Sequence, residues 1–256
     1  MSMEFKTIKF DFKDESTTIT LFRPPLNIIN LEMLGELSKA LDSAVNRNGV
    51  LIIRSGIEGV FSAGADVKEH LPGNVEQLIT EFERVVWKLI SFPRPTICVV
   101  EGRCLGGGME LAMACDFVIS TEGAEFGQPE IRVGAFPPVA AALYPRLSGL
   151  RAATMLILTG RTIDARQAKS LGYVNEVVPR EKLDAAVDEL VKSLMQNSSA
   201  VLAYAKKAII ESLNMGVENA LRKASEIYLK ELMKTEDAVE GLKAFIEKRK
   251  PQWRNR

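Results

Sequence analysis

Histidine is nearly absent from this chain. The one imidazole, His70, excludes any site that needs several histidine ligands, and it leaves a serine–histidine hydrolase no choice of base. Cysteine is scarce too. Cys98, Cys104 and Cys115 make an odd count, none stands in a CxxC pair, and all lie in apolar or glycine-rich sequence. That argues against a disulfide framework or a zinc site and for small buried thiols in a reducing compartment. An excess of either charge is also missing: Lys plus Arg and Asp plus Glu both number 33. The balance suggests neither a basic nucleic-acid face nor an acidic tail. No run of about 18 apolar residues occurs, so no membrane span is expected. The opening MSMEFKTIKF lacks the charged, apolar, small order of a secretory signal. A soluble, cytoplasmic protein is the expectation.

What is present is apolar sequence in short, well-punctuated runs. With 256 residues, 46% of them hydrophobic, the chain can bury a real core as one large domain or one domain plus a small addition. Residues 5–12 and 16–22 read as a hairpin. Leu31, Leu34, Leu37, Leu41 and Val45 have helical spacing. GVLIIRS, PTICVVEG and DFVIST read as buried strands, with a helix from about Val75 that stops at Pro93 and another over 107–115. This alternation predicts an α/β fold with parallel pairing. From about Pro138 helices dominate: AALYPRL, AATMLILTG and DARQAKSLG, the last closed by Gly172 as its C′ residue. One short strand, YVNEVV, precedes helices over 181–196, 199–213 and 216 to about 248, with a break near Thr235. Tyr228, Leu232, Val239, Leu242 and Phe245 make an apolar face on the last two. Trp87 and Trp253 read as packing residues, and the closing EKRKPQWRNR as a solvated tail.

Two glycine-bearing loops, FSAGADVK and CLGGGME, each follow a strand and lead toward a helix. Backbone N–H groups in the first helical turn have no intrahelical partner and lie at the positive end of the dipole. Two of them aimed at one point make an oxyanion hole. Close helix-on-strand packing and a phosphate loop are the other readings of the glycines; neither GxGxxG nor GxxxxGK[ST] fits. Glu110 heads into an apolar helix, which is costly without a partner. Glu130 lies in FGQPEIRVG. Taken by itself Glu130 reads as a solvated or salt-bridged residue; if the two carboxylates meet in space, desolvation and repulsion favour a shared proton, and the pair can do acid and base work on one water.

Taken together, FSAGADVKEH, GGGMELAMACD, FGQPEIRVG, LTGRTIDARQAKSLGYVNEVVP and AFIEKRKPQW resemble the crotonase, or enoyl-CoA hydratase/isomerase, superfamily along essentially the whole chain. The resemblance implies a crotonase-like spiral of ββα turns over 1–195. It also implies a C-terminal helical trimerisation region over 196–256, packing on the core and on a neighbouring subunit. The assembly implied is a homotrimer or a hexamer built as a dimer of trimers. The substrate implied is an acyl-CoA thioester, with coenzyme A as part of the substrate, no other cofactor and no metal. The N–H groups of Ala65 and Gly107 match the family's oxyanion hole, and Glu110 and Glu130 its hydratase glutamates. Leu26, Ala63, Asp66, Val67, Gly106 and Pro138 match positions along the substrate path. Lys68 matches a position near the CoA phosphates, and Phe245 and Lys248 match positions that reach the nucleotide end from a neighbouring subunit. Part of the basic tail then becomes a binding element.

Two departures stand out. GAFPPVAAALYPRL replaces the family's usual GAGGTQRL-like segment, so prolines stand where glycines flank the acyl pocket. RPPLN lacks a lysine usually near the adenosine. The combination of AGADVKEHLP, FGQPEIRVG and YLKELMKTEDAVEGLKAFIEKRKPQW is most similar to the branch of cyclohexa-1,5-diene-1-carbonyl-CoA hydratases. It implies hydration of a ring diene thioester, with Glu110 as the base. A straight-chain trans-2-enoyl-CoA hydratase and an enoyl-CoA isomerase are the rival activities, and a non-catalytic RNA- or partner-binding protein is disfavoured by the two glutamates and the neutral charge. His70, just past the oxyanion loop, is read as a loop histidine with a structural hydrogen bond.

Overall fold

A computed structural model describes residues 4–255 apart from Asp14 and Asn48. Ile8–Lys13 (β1) and Ser16–Leu21 (β2) pair antiparallel, as the hairpin reading requires. Leu31–Ala44 (α1) follows, its N-terminus capped by Asn30, whose side chain accepts the Met33 N–H at 3.0 Å. Strand–strand–helix turns come next. Val50–Ser55 (β3), Val60–Ser62 (β4) and Val75–Ile90 (α2) make one. Thr96–Val100 (β5), Arg103–Leu105 (β6) and Gly107–Met113 (α3) make another. Phe117–Thr121 (β7), Glu125–Gly127 (β8) and Pro138–Ser148 (α4) make a further one. The chain continues through Leu150–Thr159 (α5), Thr162–Asp164 (β9), Ala165–Ser170 (α6) and Glu176–Val178 (β10). It ends in helices Leu183–Met195 (α7), Ser199–Ser212 (α8), Val217–Lys230 (α9) and Glu236–Ile246 (α10).

In each ββα turn the first strand enters one sheet and the second enters another. The larger sheet has the order β1-β2-β3-β5-β7-β10, parallel except for β1–β2; the smaller is β4-β6-β8-β9, with only β8–β9 antiparallel. This is the spiral of ββα turns that the resemblance implies. The central strands β3, β5 and β7 are covered on both faces, which explains their apolar runs. Leu51, Ile53, Cys98, Val100 and Val118 join the main core, whereas Val50, Ile52, Ile97, Val99 and Ile119 pack under Leu183 and Val187 of α7. Alternate residues of one strand therefore serve two cores.

The sequence reading of the helices holds closely, including Gly172 beyond the end of α6 at φ 84° and the break before α10, where Thr235 is the N-cap. Four features differ. The smaller sheet was not anticipated: its strands have three residues each, too few to show an alternating pattern, and pairing rather than composition makes them strands. The strand over YVNEVV is confined to β10. Tyr173 and Val174 are core residues ahead of it, and Asn175 takes the Val118 N–H on its side chain at 2.7 Å. The basic tail is exposed, as a solvated tail would be, but it is also pinned: Arg249 pairs with Glu240 and Glu247, and Asp237 accepts the N–H groups of Arg254 and Asn255. Trp253 meets the packing expectation, its indole N–H donating to the Gln196 carbonyl at 2.8 Å. Trp87, at 62% exposure, does not.

Candidate active site

The RPPLN loop anchors the site. Asn27 is buried, and its amide donates to Ser55 Oγ and the Phe61 carbonyl, both at 2.9 Å. Ser62 Oγ donates to the Asn27 carbonyl at 2.7 Å, and the Ala63 N–H to the Leu26 carbonyl at 3.0 Å. A parallel bridge then joins Ile29 to Ala65, using the Gly64 carbonyl and the Asp66 N–H. Successive groups on an extended chain point to opposite sides. The Ala65 N–H is therefore turned away from Ile29, and among the described residues it has no acceptor.

The other loop places Gly106 at φ 52° and ψ −130°, ahead of α3. Its three glycines have separate reasons. A Cβ on Gly106 would stand 2.4 Å from Glu130 Oε1, so the glutamate carboxyl occupies that space. A Cβ on Gly107 would stand 3.3 Å from the Ala65 nitrogen, so the start of α3 lies close against the backbone of the Ala65 loop. A Cβ on Gly108 would collide with Ser62 Cβ at 2.6 Å, which is helix-on-strand packing. The close-packing reading thus applies at Gly108, while Gly107 lies beside the Ala65 backbone.

Glu110 lies on the next turn of α3 and is 5% exposed. Its Oε1 accepts the Ala140 N–H at 2.8 Å, in the first turn of α4, where Pro138 has no N–H to offer. Burial raises its pKa to about 8, and the Glu130 charge adds to the rise against the opposing Ala140 and Val139 N–H groups. Glu130 sits in the 3-10 turn Pro129–Val133 and is half-buried. Burial raises its pKa too, opposed by its own N–H and by His70. Behind it, Tyr144 and Gln128 form a buried pair. With the amide oriented to suit both neighbours, Gln128 accepts from the Tyr144 hydroxyl at 2.5 Å and donates to Glu130 Oε2 at 3.0 Å.

These groups open on one chamber of about 520 Å³, within the size range of small-molecule sites. Ala63, Ala65, Val67 and Gly106 line it, as do Gly107, Glu110, Glu130 and Pro138. Leu26, Asp66, Lys68, Phe245 and Lys248 do not. Leu26 and Asp66 support the oxyanion loop through backbone bonds, and Lys68 is exposed beside it. Phe245 is 84% exposed and Lys248 is exposed as well, near the end of the chain. Sequence reasoning missed Leu78 and Phe82 of α2, with Val133 and Phe136, in the chamber lining; Pro137, whose segment was read as flanking the acyl pocket, lines it too. The i, i+4 spacing of Leu78 and Phe82 marked a buried face but not what it faced. Cys104, close in sequence to the glycines, is fully buried with its thiol pushed well above the ordinary value, so it is an inert core residue.

The profile of the family described as enoyl-CoA hydratase/isomerase matches residues 12–256. The chain belongs to the enoyl-CoA hydratase/isomerase family. It is 34% identical over 239 residues to a cyclohexa-1,5-dienecarbonyl-CoA hydratase from Thauera aromatica, covering 93% of this chain and 92% of that one. It is 37% identical over 240 residues to a probable mitochondrial enoyl-CoA hydratase 2 from Arabidopsis thaliana, covering 91% and 79%. Among solved structures, an enoyl-CoA hydratase from Bacillus anthracis superposes with a TM-score of 0.92 at 31% identity, covering 98% of this chain and all of that one. The α/β crotonase fold is therefore shown, and with it the general activity of a family of acyl-CoA hydro-lyases. Among the described residues, no helix is long and apolar enough to cross a membrane.

Proposed function

We propose that this family member hydrates a conjugated cyclic dienoyl-CoA thioester, converting cyclohexa-1,5-diene-1-carbonyl-CoA to 6-hydroxycyclohex-1-ene-1-carbonyl-CoA. The observation that carries hydration is the convergence of two unpartnered N–H groups and two carboxylates on one chamber. In this reading the thioester oxygen accepts hydrogen bonds from Ala65 and Gly107, which stabilise the enolate-like charge formed as water adds. Water lies between the carboxyl groups. The oxygen of water bonds the ring carbon β to the thioester, and a proton goes to the far end of the diene, leaving one conjugated double bond.

The pair starts with one proton, and the deeper Glu110 holds it. Glu130 is then the carboxylate that takes a proton from water, and Glu110 supplies one to carbon. The sequence reading took Glu110 as the base without separating the two roles; this assignment differs from it because of the burial of Glu110, which sequence spacing does not report. Support for the ring substrate comes from the similarity to the Thauera protein and from Phe136–Pro137–Pro138 in the chamber wall. The similarity to the Arabidopsis protein favours a second reading, hydration of straight-chain enoyl-CoA.

We place the helices of 196–256 at a subunit interface, in a trimer or a hexamer of two trimers. The exposed Tyr228, Val239, Leu242 and Phe245 support this. Phe245, Lys248 and Lys68 then serve CoA binding, the first two on a neighbouring subunit.

The deciding experiment gives the purified protein cyclohexa-1,5-diene-1-carbonyl-CoA and crotonyl-CoA separately in H₂¹⁸O, with products read by mass spectrometry. Labelled water in the ring product, with crotonyl-CoA nearly untouched, is the expected result. Fast hydration of crotonyl-CoA alone selects the second reading. Absence of label from both overturns hydration.

A further inference from the structure

Tyr144 of α4 is 0% exposed, and the chemistry above makes no use of its hydroxyl. A phenylalanine ring would fill the same space with no polar atom to satisfy. The ring rests on Tyr173, with 5.1 Å between centroids. Among the described residues the hydroxyl has one side-chain partner, the equally buried Gln128. Burial, with Glu110, Cys104 and Tyr173 adding to it against the Gln128 bond, pushes the hydroxyl well above its ordinary value, so it keeps its proton.

That proton decides how the amide stands. A buried donor without an acceptor is costly, and the Gln128 carbonyl oxygen accepts this one at 2.5 Å. The amide nitrogen then faces Glu130, at 3.0 Å from Oε2 and 3.3 Å from Oε1. The opposite orientation would give the amide N–H groups to Tyr144 and, at 3.4 Å, to the Gly106 carbonyl, which already accepts the Glu110 N–H at 3.0 Å. It would also strand the hydroxyl proton and set the amide oxygen against the Glu130 carboxylate.

The other ionisable groups in the chamber lining are His70, Glu83, Glu110 and Arg132. His70 turns Nδ1 to the Asp66 carbonyl at 2.9 Å, the structural hydrogen bond expected from the sequence, and its charge favours ionised Glu130. Glu110 is held by the Ala140 N–H, Glu83 is exposed, and Arg132 packs against Gly160. Among the described residues, the side chain that hydrogen-bonds the Glu130 carboxyl is that of Gln128.

We propose that Tyr144 and Gln128 are positioning residues: the tyrosine hydroxyl locks the amide with its N–H groups toward Glu130, and the amide holds Glu130 as the carboxylate that accepts the proton of water. The inference rests on the reading of Glu130 as the base. A donor to the charged form of an acid favours that form, so the lock opposes the effect of burial at Glu130.

Neutron diffraction from deuterium-exchanged crystals of the unliganded protein, grown above neutral pH, reads the lock directly. The Gln128 deuterons should point at Glu130, and the Tyr144 deuteron at the Gln128 oxygen. The reverse amide orientation overturns the proposal. Tyr144→Phe keeps the ring and removes the lock. It should lower kcat about 10-fold with KM nearly unchanged. It should also move the acid limb of kcat/KM up by about one pH unit, because Glu130 without its oriented donor protonates at higher pH. Gln128→Leu should move the limb the same way. The double variant should be no worse than Gln128→Leu, since the tyrosine acts through the amide. A Tyr144→Phe protein with the parent's kcat and acid limb, whatever its melting temperature, overturns the proposal and leaves the hydroxyl a packing detail. Multiplied losses in the double variant overturn the route through Gln128. The diffraction arm needs no turnover, so failure of the hydratase reading shows in the activity arm and leaves the amide orientation separately measurable.

Discussion

On one side of the chamber, Ala65 and Gly107 present backbone N–H groups and nothing bulkier than a methyl. Elsewhere in its lining, Val133 and Phe136 present large apolar side chains, both exposed, next to buried Pro137. The first wall is held by hydrogen bonds. The Ile29–Ala65 bridge, the Asn27 amide and the start of α3 fix each donor. The second wall is held by a short 3-10 turn and a loop. The difference separates two tasks. Stabilising charge on a thioester oxygen needs donors at fixed positions that do not reorganise. Choosing an acyl group needs a surface whose shape can change without moving those donors.

The largest effect should come from the acid–base pair between the walls. Glu110→Gln and Glu130→Gln are each expected to lower the hydration rate by about 10²–10⁴, and the double variant to fall little further, since the two act on one water. Steady-state kinetics with mass detection checks this. Equal single and double effects sharpen the picture of a unit, and multiplied losses break it.

Next in size is Gly107→Ala. The added methyl would stand 3.3 Å from the Ala65 nitrogen and 3.1 Å from the Phe82 ring, in the space assigned to the thioester oxygen. A loss of about 10²–10³ in kcat is expected. Gly108→Ala is its counterpart: the methyl collides with Ser62 rather than with substrate. It should cost about 1–3 kcal/mol of stability, read by thermal unfolding. A catalytic defect at Gly108 with full stability would erase the distinction between the two glycines.

Stability against pH gives a further test. The Glu110 carboxyl has an ordinary value of 4.5 and a folded value of about 8. Between these, the folded state holds a proton that the unfolded state has released, so the contribution of this group to stability falls as pH rises through the window. Glu110→Gln removes that slope. The variant should therefore gain stability relative to the parent from pH 5 to pH 9, by thermal unfolding at each pH. A parallel course for both proteins would show that the carboxyl ionises freely. The smallest effect belongs to the apolar wall. Phe136→Ala is expected to change the ratio of kcat/KM for ring and straight-chain thioesters by about 10-fold, with hydration retained.

Much of the first wall was legible in the sequence because backbone donors need glycine and short loops, and both leave a local mark. Gly106, Gly107 and Glu110 lie within five residues of one another, so little could separate them in space. Glu130 was legible as a candidate but not as a neighbour. Its contact with the Gly106 site arises from the pairing of β6 with β8, two strands too short to be read. The rest of the lining was hidden for a related reason: Leu78 and Phe82 come from α2 and Val133 and Phe136 from a segment roughly 50 positions later, and they share one chamber only in the folded chain. Phe245 and Lys248 belong to another class, because both are exposed and neither lines the chamber.

By itself the sequence determined the alternation of strands and helices, the helix ends at Gly172 and Thr235, and the identity of the two carboxylates. Each depends on side-chain type and on neighbours a few residues away. Only the tertiary structure decided that Glu110 is the deeper of the two acids, and which glycine lies beside the Ala65 nitrogen and which against Ser62. Those are matters of desolvation and of contacts between distant segments, and both exist only once the chain has closed around the site.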